Sequence, residues 1–308
     1  METVAKMKFK LVYGNHWNFG IVVADTFLML QGALHEMGFQ ADIEKEIQIE
    51  PGVTYVFIEG FDKDYAKSLQ SIKDIGSNVW IIATEEWADG TFNLSARQGD
   101  NGQYSKSEYW DERFQAFMLA IESCDLVWHL SEQQAERYKN VLEVPVEFLP
   151  HGFTDNFASV RHREHKDIDF VFTGTLTDHR RDCFNYLENK GYKVVYLPVL
   201  TASFHRDDVV SRAKIGLNVK QSKDWLQFSN SRANYHLCNQ SSLISEYCPD
   251  SCTVADFIHM PSNDFLPYVE WFINDNDWNA EAKKSSVRYQ TEHRLSSLIE
   301  SVVRYYLK

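Results

Sequence analysis

Near the middle of the chain an apolar run ends in a break that a single α/β sheet would not need. Val144-Pro-Val-Glu-Phe-Leu-Pro-His-Gly-Phe153 reads as a buried strand stopped by Pro150, His151 and Gly152. After a short charged gap, Phe170-Val-Phe-Thr-Gly-Thr175 starts a new run, and Arg180 and Arg181 follow at the opening of a helix. One α/β unit closes there and a second opens, with an anion-seeking loop at the second unit's first turn. The length of 308 residues carries the same prior of about two domains.

Both halves alternate between strand and helix patterns. In the first, residues 9–13 read as a strand, 14–20 as a glycine-containing loop, and Asp25 to Met37 as an amphipathic helix stopped at Gly38. Runs at 54–58 and 79–83 have the continuous apolar character of strands buried on both faces, with a helix over 65–75 between them. The polar stretch Gly90 to Ser107 reads as a long loop. A helix over 112–123, a strand at 126–130 and a helix capped by Ser131, with Gln134 three residues on, complete the half. The second half repeats the alternation, with strands at 170–173, 193–197, 215–219 and 242–245 and helices between them. Strict alternation of this kind implies parallel sheets with right-handed crossovers. The charged segment Val160 to Lys166 reads as the linker.

Composition narrows the classes of partner. A net charge of -13, from 44 acidic and 31 basic residues, disfavours generic binding to nucleic acid or anionic membrane. No run of about 18 apolar residues is present, so no membrane span is expected, and Met1 to Lys10 lacks the apolar core of a secretory leader. The five cysteines are odd in number and form no Cys-x-x-Cys pair. They read as reduced thiols of a cytoplasmic protein, and no metal site is expected.

Four passages in order resemble the GT-B glycosyltransferases. Asp125-Leu-Val-Trp-His-Leu-Ser-Glu132 is similar to that group's strand-to-helix turn, and Phe148-Leu-Pro-His-Gly-Phe153 to its crossover between domains. Phe170-Val-Phe-Thr-Gly-Thr-Leu176 resembles the first strand and loop of the donor domain. Ala213 to Val219, followed by Ser231 to Glu246, resembles the donor-site strand, helix and next strand. The resemblance covers about residues 120–250 and is looser toward the CgeB spore-maturation type and the family 1 and family 4 type transferases. It departs at Asn234, Leu226 and Asn239, which stand where retaining members carry two glutamates and a glycine. The resemblance therefore leaves the donor and the stereochemical outcome open.

The resemblance implies an α/β fold of two Rossmann-like, doubly wound domains facing across a cleft. The expected division is an acceptor-side domain over 1–158, a donor-nucleotide domain over 159–290, and a terminal helix over 291–308 that crosses back to the first. In that helix Leu298 to Leu307 carries the apolar stripe expected to pack on the first half and brace the turn at Pro150 to Phe153. The implied activity is transfer of a sugar from a nucleotide sugar to an acceptor hydroxyl, with no metal and no cofactor beyond the co-substrate. Gly174, Thr175, Arg180, Arg181, Lys220, Ser229, Ser231, Arg232, Asn234 and Glu246 are the candidate donor-binding residues. Arginines at a helix N-terminus and a lysine after a buried strand can neutralise a departing diphosphate.

In the first half, Trp17 and Asn18, with His151 at the crossover, are candidates to meet the acceptor, and His16, Glu85 and Glu86 are candidate proton-transfer groups. Ordinary roles compete for each: a packed loop for His16 and Trp17, partners of a helix dipole for Glu85 and Glu86, and a helix cap for Ser229. His129, after an aromatic strand, reads as a satisfied core histidine. Two other functions stay open, a non-catalytic binder of nucleotides or sugar phosphates on the same scaffold and a transferase acting on modified bases of viral DNA. The acceptor is otherwise a glycan or a small molecule.

Overall fold

The computed structural model describes residues 7–14, 20–60, 62–94, 106–250 and 252–307. Its contacts divide the chain into two compact units, 1–150 with 298–308, and 151–297.

The first unit runs β1 (Lys8–Val12), α1 (Ala24–Glu36), β2 (Gln40–Glu44), β3 (Val53–Ile58), α2 (Lys63–Ser68), α3 (Gln70–Asp74) and β4 (Asn78–Ala83). It continues through β5 (Trp87–Ala88), β6 (Thr91–Phe92), α4 (Ser107–Ile121), β7 (Leu126–His129), α5 (Glu132–Lys139) and β8 (Val146–Phe148). Six strands form one parallel sheet in the order β2-β1-β3-β4-β7-β8, and β5 and β6 make a small antiparallel hairpin. Every residue of β3 is buried, as its unbroken apolar run requires when helices cover both faces. Trp80 of β4 and Trp128 of β7 meet edge to face at 4.9 Å inside this core.

Local chemistry sets the element ends. Asp125 Oδ2 accepts the backbone N–H of Val79 at 2.8 Å, fixing the start of β4 beside β7. Ser131 Oγ caps α5 by accepting from Gln134 N at 3.4 Å, but the Gln134 side chain turns away and accepts from Trp87 N at 3.0 Å. The capping is thus one-sided, and Gln134 ties α5 to the β5–β6 hairpin instead. Strand β2 has no counterpart in the sequence reading. It is an edge strand of mixed character, exposed at Gln40 and buried at Ala41, so it lacks the apolar run that marks its neighbours. Strand β6 of the hairpin falls inside the Gly90 to Ser107 stretch and β5 just before it; of that stretch, 95–105 lies outside the described residues.

The second unit runs β9 (Ile168–Thr173), α6 (Asp178–Asn189), β10 (Val194–Leu197), α7 (Ser203–Arg212), β11 (Ala213–Asn218), α8 (Asn230–Cys238) and β12 (Ser242–Ser245). Helices α9 (Phe265–Asp275), α10 (Trp278–Glu292) and α11 (Leu295–Tyr306) follow. Its four strands are parallel in the order β10-β9-β11-β12. Phe170, Phe172, Leu187, Ile215, Ile244 and Phe272 are among the residues of its core.

The charged segment after the crossover is held to this unit. Asn239 Oδ1 accepts from the backbone N–H groups of Ser159 and Val160, both at 2.8 Å, and the His162 ring donates to Asn239 O at 2.7 Å. Residues 151–158 belong here too, because Phe153 N donates to His293 O at 2.9 Å and Leu295 N donates to Phe153 O at 3.0 Å. The end of α11 belongs to the first unit, where the Tyr306 hydroxyl donates to Glu147 at 3.2 Å and Arg304 lies over the Phe39 ring.

Candidate functional site

In the second sheet the chain leaves β9 for β10 on one side and then crosses to β11 on the other. At such a switch point the loops after two neighbouring strands diverge, opening a crevice at their carboxyl ends. A cavity of about 310 Å³ sits there, lined by Gly174 and Thr175 after β9, Asn218 and Lys220 at the end of β11, and Ser229 and Arg232 at the start of α8. Arg180, Trp225 and Phe228 are among the other residues of its wall.

Two guanidinium groups build the floor. Arg180, on α6, donates from Nε to the carbonyls of Val219 and Lys220 at 3.0 and 3.1 Å and from Nη1 to Thr175 O at 2.6 Å. Arg232 donates from Nε and Nη2 to Thr173 O at 2.9 and 2.8 Å and from Nη1 to the Asn218 side chain. Both pack on one ring, Phe172, at 4.8 and 4.5 Å. Among the described residues, neither has a carboxylate within ion-pair distance. Burial lowers Arg180 to about 10, and burial together with the Arg180 charge lowers Arg232 to about 9, so both remain cationic at neutral pH. Carbonyl dipoles orient them but do not cancel their charge, and an entering anion would.

Gly174 makes this approach possible. Its φ is +146°, and a β-carbon there would lie 2.8 Å from Arg232 Nη2 and 3.2 Å from the Phe172 ring. The N-terminus of α8 adds its dipole. Ser229 occupies the cap position beside the cavity, but its side chain makes no capping bond, and Asn230 N donates instead to Phe228 O at 3.2 Å. Lys220 lines the same wall, and no ion pair to its ammonium is seen among the described residues.

The other candidate donor residues lie apart from this cavity. Arg181 is exposed on α6. Ser231 is exposed, and its hydroxyl pairs with His151 Nε2 at 3.0 Å. Asn234 is 1% exposed and accepts from the Tyr289 hydroxyl at 2.7 Å, inside the packing of α8 on α10. Glu246 accepts from Lys220 N at 2.7 Å and pairs with His179 at 3.0 Å, so it shapes the lysine loop from behind. His151 is buried and pairs with Ser231, its Nδ1 has no partner among the described residues, and burial holds it near 4.

In the first unit His16, Trp17 and Asn18 lie outside the described residues. Glu85 follows β4 but is engaged by Arg113 at 2.6 Å, and the same guanidinium grips buried Glu59 through Nε at 3.0 Å and Nη2 at 2.6 Å. Burial, and after it the Glu85 charge, push Glu59 up against the pull of Arg113. Glu86 meets Arg137 at 3.4 Å. His129 is the satisfied core histidine its setting suggested. Its Nδ1 accepts from Ser131 N at 2.9 Å, and its Nε2 donates to Glu85 O at 3.1 Å.

Sequence reasoning did not single out Phe172, Asn218 or Trp225. Asn218 left a signal, a polar residue at the carboxyl end of the apolar stretch Ile215 to Leu217. Phe172 left none, because a phenylalanine within a buried run reads as core.

No protein-family model matches the chain, and no curated protein does. Solved structures do match over its full length. The N-terminal domain of trehalose-6-phosphate phosphatase from Candida albicans superposes with a TM-score of 0.56 at 8% identity, covering 99% of this chain and 98% of that one. The UDP-forming α,α-trehalose-phosphate synthase from Burkholderia xenovorans gives 0.52 at 7% identity, with 98% of each chain covered. The fold is GT-B. A glycosyltransferase from Rickettsia africae matches in the same way, at 0.51 and 9% identity over 98% of both chains. In GT-B terms, the cavity between β9 and β11 sits in the second of the two Rossmann-like units. Among the described residues, no helix is long and apolar enough to cross a membrane.

Proposed function

We propose that the protein is a glycosyltransferase that takes a sugar from a nucleotide sugar and holds the donor's diphosphate in the second-unit cavity. The observation that carries this reading is the pair Arg180 and Arg232, two cations on one aromatic ring at a switch point, without carboxylate partners among the described residues. Arg232, Lys220 and the α8 N-terminus, which lacks a side-chain cap, would neutralise the charge that builds on the leaving diphosphate as the glycosidic bond breaks. These fixed cations supply what a metal would otherwise supply, so the transfer is proposed to run without one. Trp225 and Phe228 give the same cavity an apolar wall for a flat ring. UDP is the first nucleotide to test, because the Burkholderia xenovorans protein with this fold is UDP-forming. The five free thiols agree with a cytoplasmic site of action.

The test is calorimetry and thermal shift with UDP, GDP, ADP, dTDP and CMP, with and without chelator. Chelator-insensitive binding of one diphosphate is expected, and no binding of any at millimolar concentration would remove the proposal. A second reading, a non-catalytic nucleotide or sugar-phosphate binder, is favoured by Glu85, whose carboxylate is engaged by Arg113 and so is a poor free base. Slow hydrolysis of the bound nucleotide sugar separates the two, since only the enzyme breaks the glycosidic bond.

A further inference from the structure

Helix α6 carries His179 and Cys183 four residues apart, one turn along the same face. Glu246, the residue after β12, reaches that face, and its carboxylate oxygens lie 3.0 and 3.1 Å from His179 Nε2. The imidazole nitrogen, the Cys183 sulfur and a Glu246 oxygen all lie within 4.8 Å of one another, and no other group of three such donors occurs among the described residues. We propose that His179, Cys183 and Glu246 form a binding site for a divalent transition metal of the zinc class.

Three features support it. The donor set is one nitrogen, one sulfur and one oxygen, a mixture that suits zinc and is poor for magnesium or calcium. Bond lengths of about 2.0–2.3 Å place tetrahedral ligands roughly 3.3–3.8 Å apart, so side-chain rotations on the order of 1 Å would close the site. The site also has its outer support. Glu246 Oε2 already accepts from Lys220 N at 2.7 Å, which fixes the carboxylate as hydrogen bonds behind metal ligands do. The Cys183 thiol packs in the core of the second unit, makes no hydrogen bond among the described residues and is 6% exposed, so its sulfur is a sheltered donor. Three protein ligands would leave a fourth position for water. The inference does not rest on glycosyl transfer: Glu246 also holds the Lys220 backbone, but neither Arg180 nor Arg232 takes part in the site.

Cobalt is the probe, because a thiolate–cobalt bond absorbs in the near ultraviolet. The full chain, stripped with chelator, is titrated with Co²⁺. One equivalent should bind with a thiolate charge-transfer band that one equivalent of Zn²⁺ then removes. Cys183→Ser should abolish the band. His179→Gln and Glu246→Gln should weaken cobalt binding at least tenfold, while Cys248→Ser and Cys252→Ser keep both band and affinity. Circular dichroism checks that the variants fold. His179 is only partly buried, so His179→Gln keeps the test valid if Cys183→Ser does not fold. Absence of the band in the folded wild-type chain, or full cobalt affinity in folded His179→Gln, would overturn the site. So would a band that persists in folded Cys183→Ser.

Discussion

The His236 imidazole fills the space in which residue 216 would carry a side chain. A β-carbon on Gly216 would stand 2.3 Å from His236 Cε1 and 2.7 Å from Nε2. Gly216 lies in the middle of β11, so α8 sits close against the sheet because one position of that strand is bare. Gly216→Ala should cost about 1–3 kcal/mol through overpacking. Combined with His236→Ala it should cost less than the sum of the two, by about 0.5–3 kcal/mol. Urea unfolding of the two single variants and the double variant measures this, and simple additivity would contradict the contact.

His129, His151 and His236 are deeply buried. Burial holds His129 and His151 near 4 and His236 near 3, against an ordinary 6.5. Between 6.5 and those values the unfolded chain takes up protons that the folded chain does not. Stability should therefore fall as pH drops below 6.5, each group contributing up to roughly 3 kcal/mol by pH 4. Substituting any one by glutamine should flatten the pH dependence of the unfolding free energy over that window by up to one proton. An unchanged slope in all three variants would count against their neutrality.

The cavity cations should be separable by affinity. Arg232→Ala should weaken nucleoside diphosphate binding by about 10- to 100-fold, the loss of a charged hydrogen-bond donor. Lys220→Ala should cost less and reduce the salt dependence of binding. Arg181→Ala should stay within roughly threefold of wild type, because Arg181 is exposed and outside the cavity wall. Calorimetry at two salt concentrations checks all three, and an Arg181 effect as large as that of Arg232 would relocate the site.

Gly174→Ala should act on the same site from the backbone. The left-handed φ and the 2.8 Å approach to Arg232 Nη2 mean that a methyl group must move the guanidinium. A stability loss of about 1–3 kcal/mol is expected, with diphosphate affinity falling alongside it. Retained affinity in a folded variant would show that Arg232 does not need its present position.

The fold was legible wherever burial on both faces produced unbroken apolar runs, as in β3, β4 and β9. Strand β2 was not, because an edge strand with charged residues has no such run. At the cavity, Arg180, Arg232, Lys220 and Gly174 were legible from their places after strands and at helix starts. Asn234 and Glu85 show the limit. Their positions resemble site positions, yet Tyr289, 55 residues away, takes Asn234, and Arg113, 28 residues away, takes Glu85. Pairings at that separation depend on how helices pack, and neither partner leaves a mark near the residue it engages.

The division of the chain has a consequence for synthesis. Residues 151–297 are one uninterrupted stretch, whereas the first unit draws on both 1–150 and 298–308. A ribosome would release everything the second unit needs before Arg304 and Tyr306 emerge to meet Phe39 and Glu147. The half made first is thus completed last. Until then the surface that receives the end of α11 stays uncovered while the second sheet assembles. A shortened chain ending before residue 298 should leave the second unit intact and the first exposed to proteases, an order of loss opposite to the order of translation.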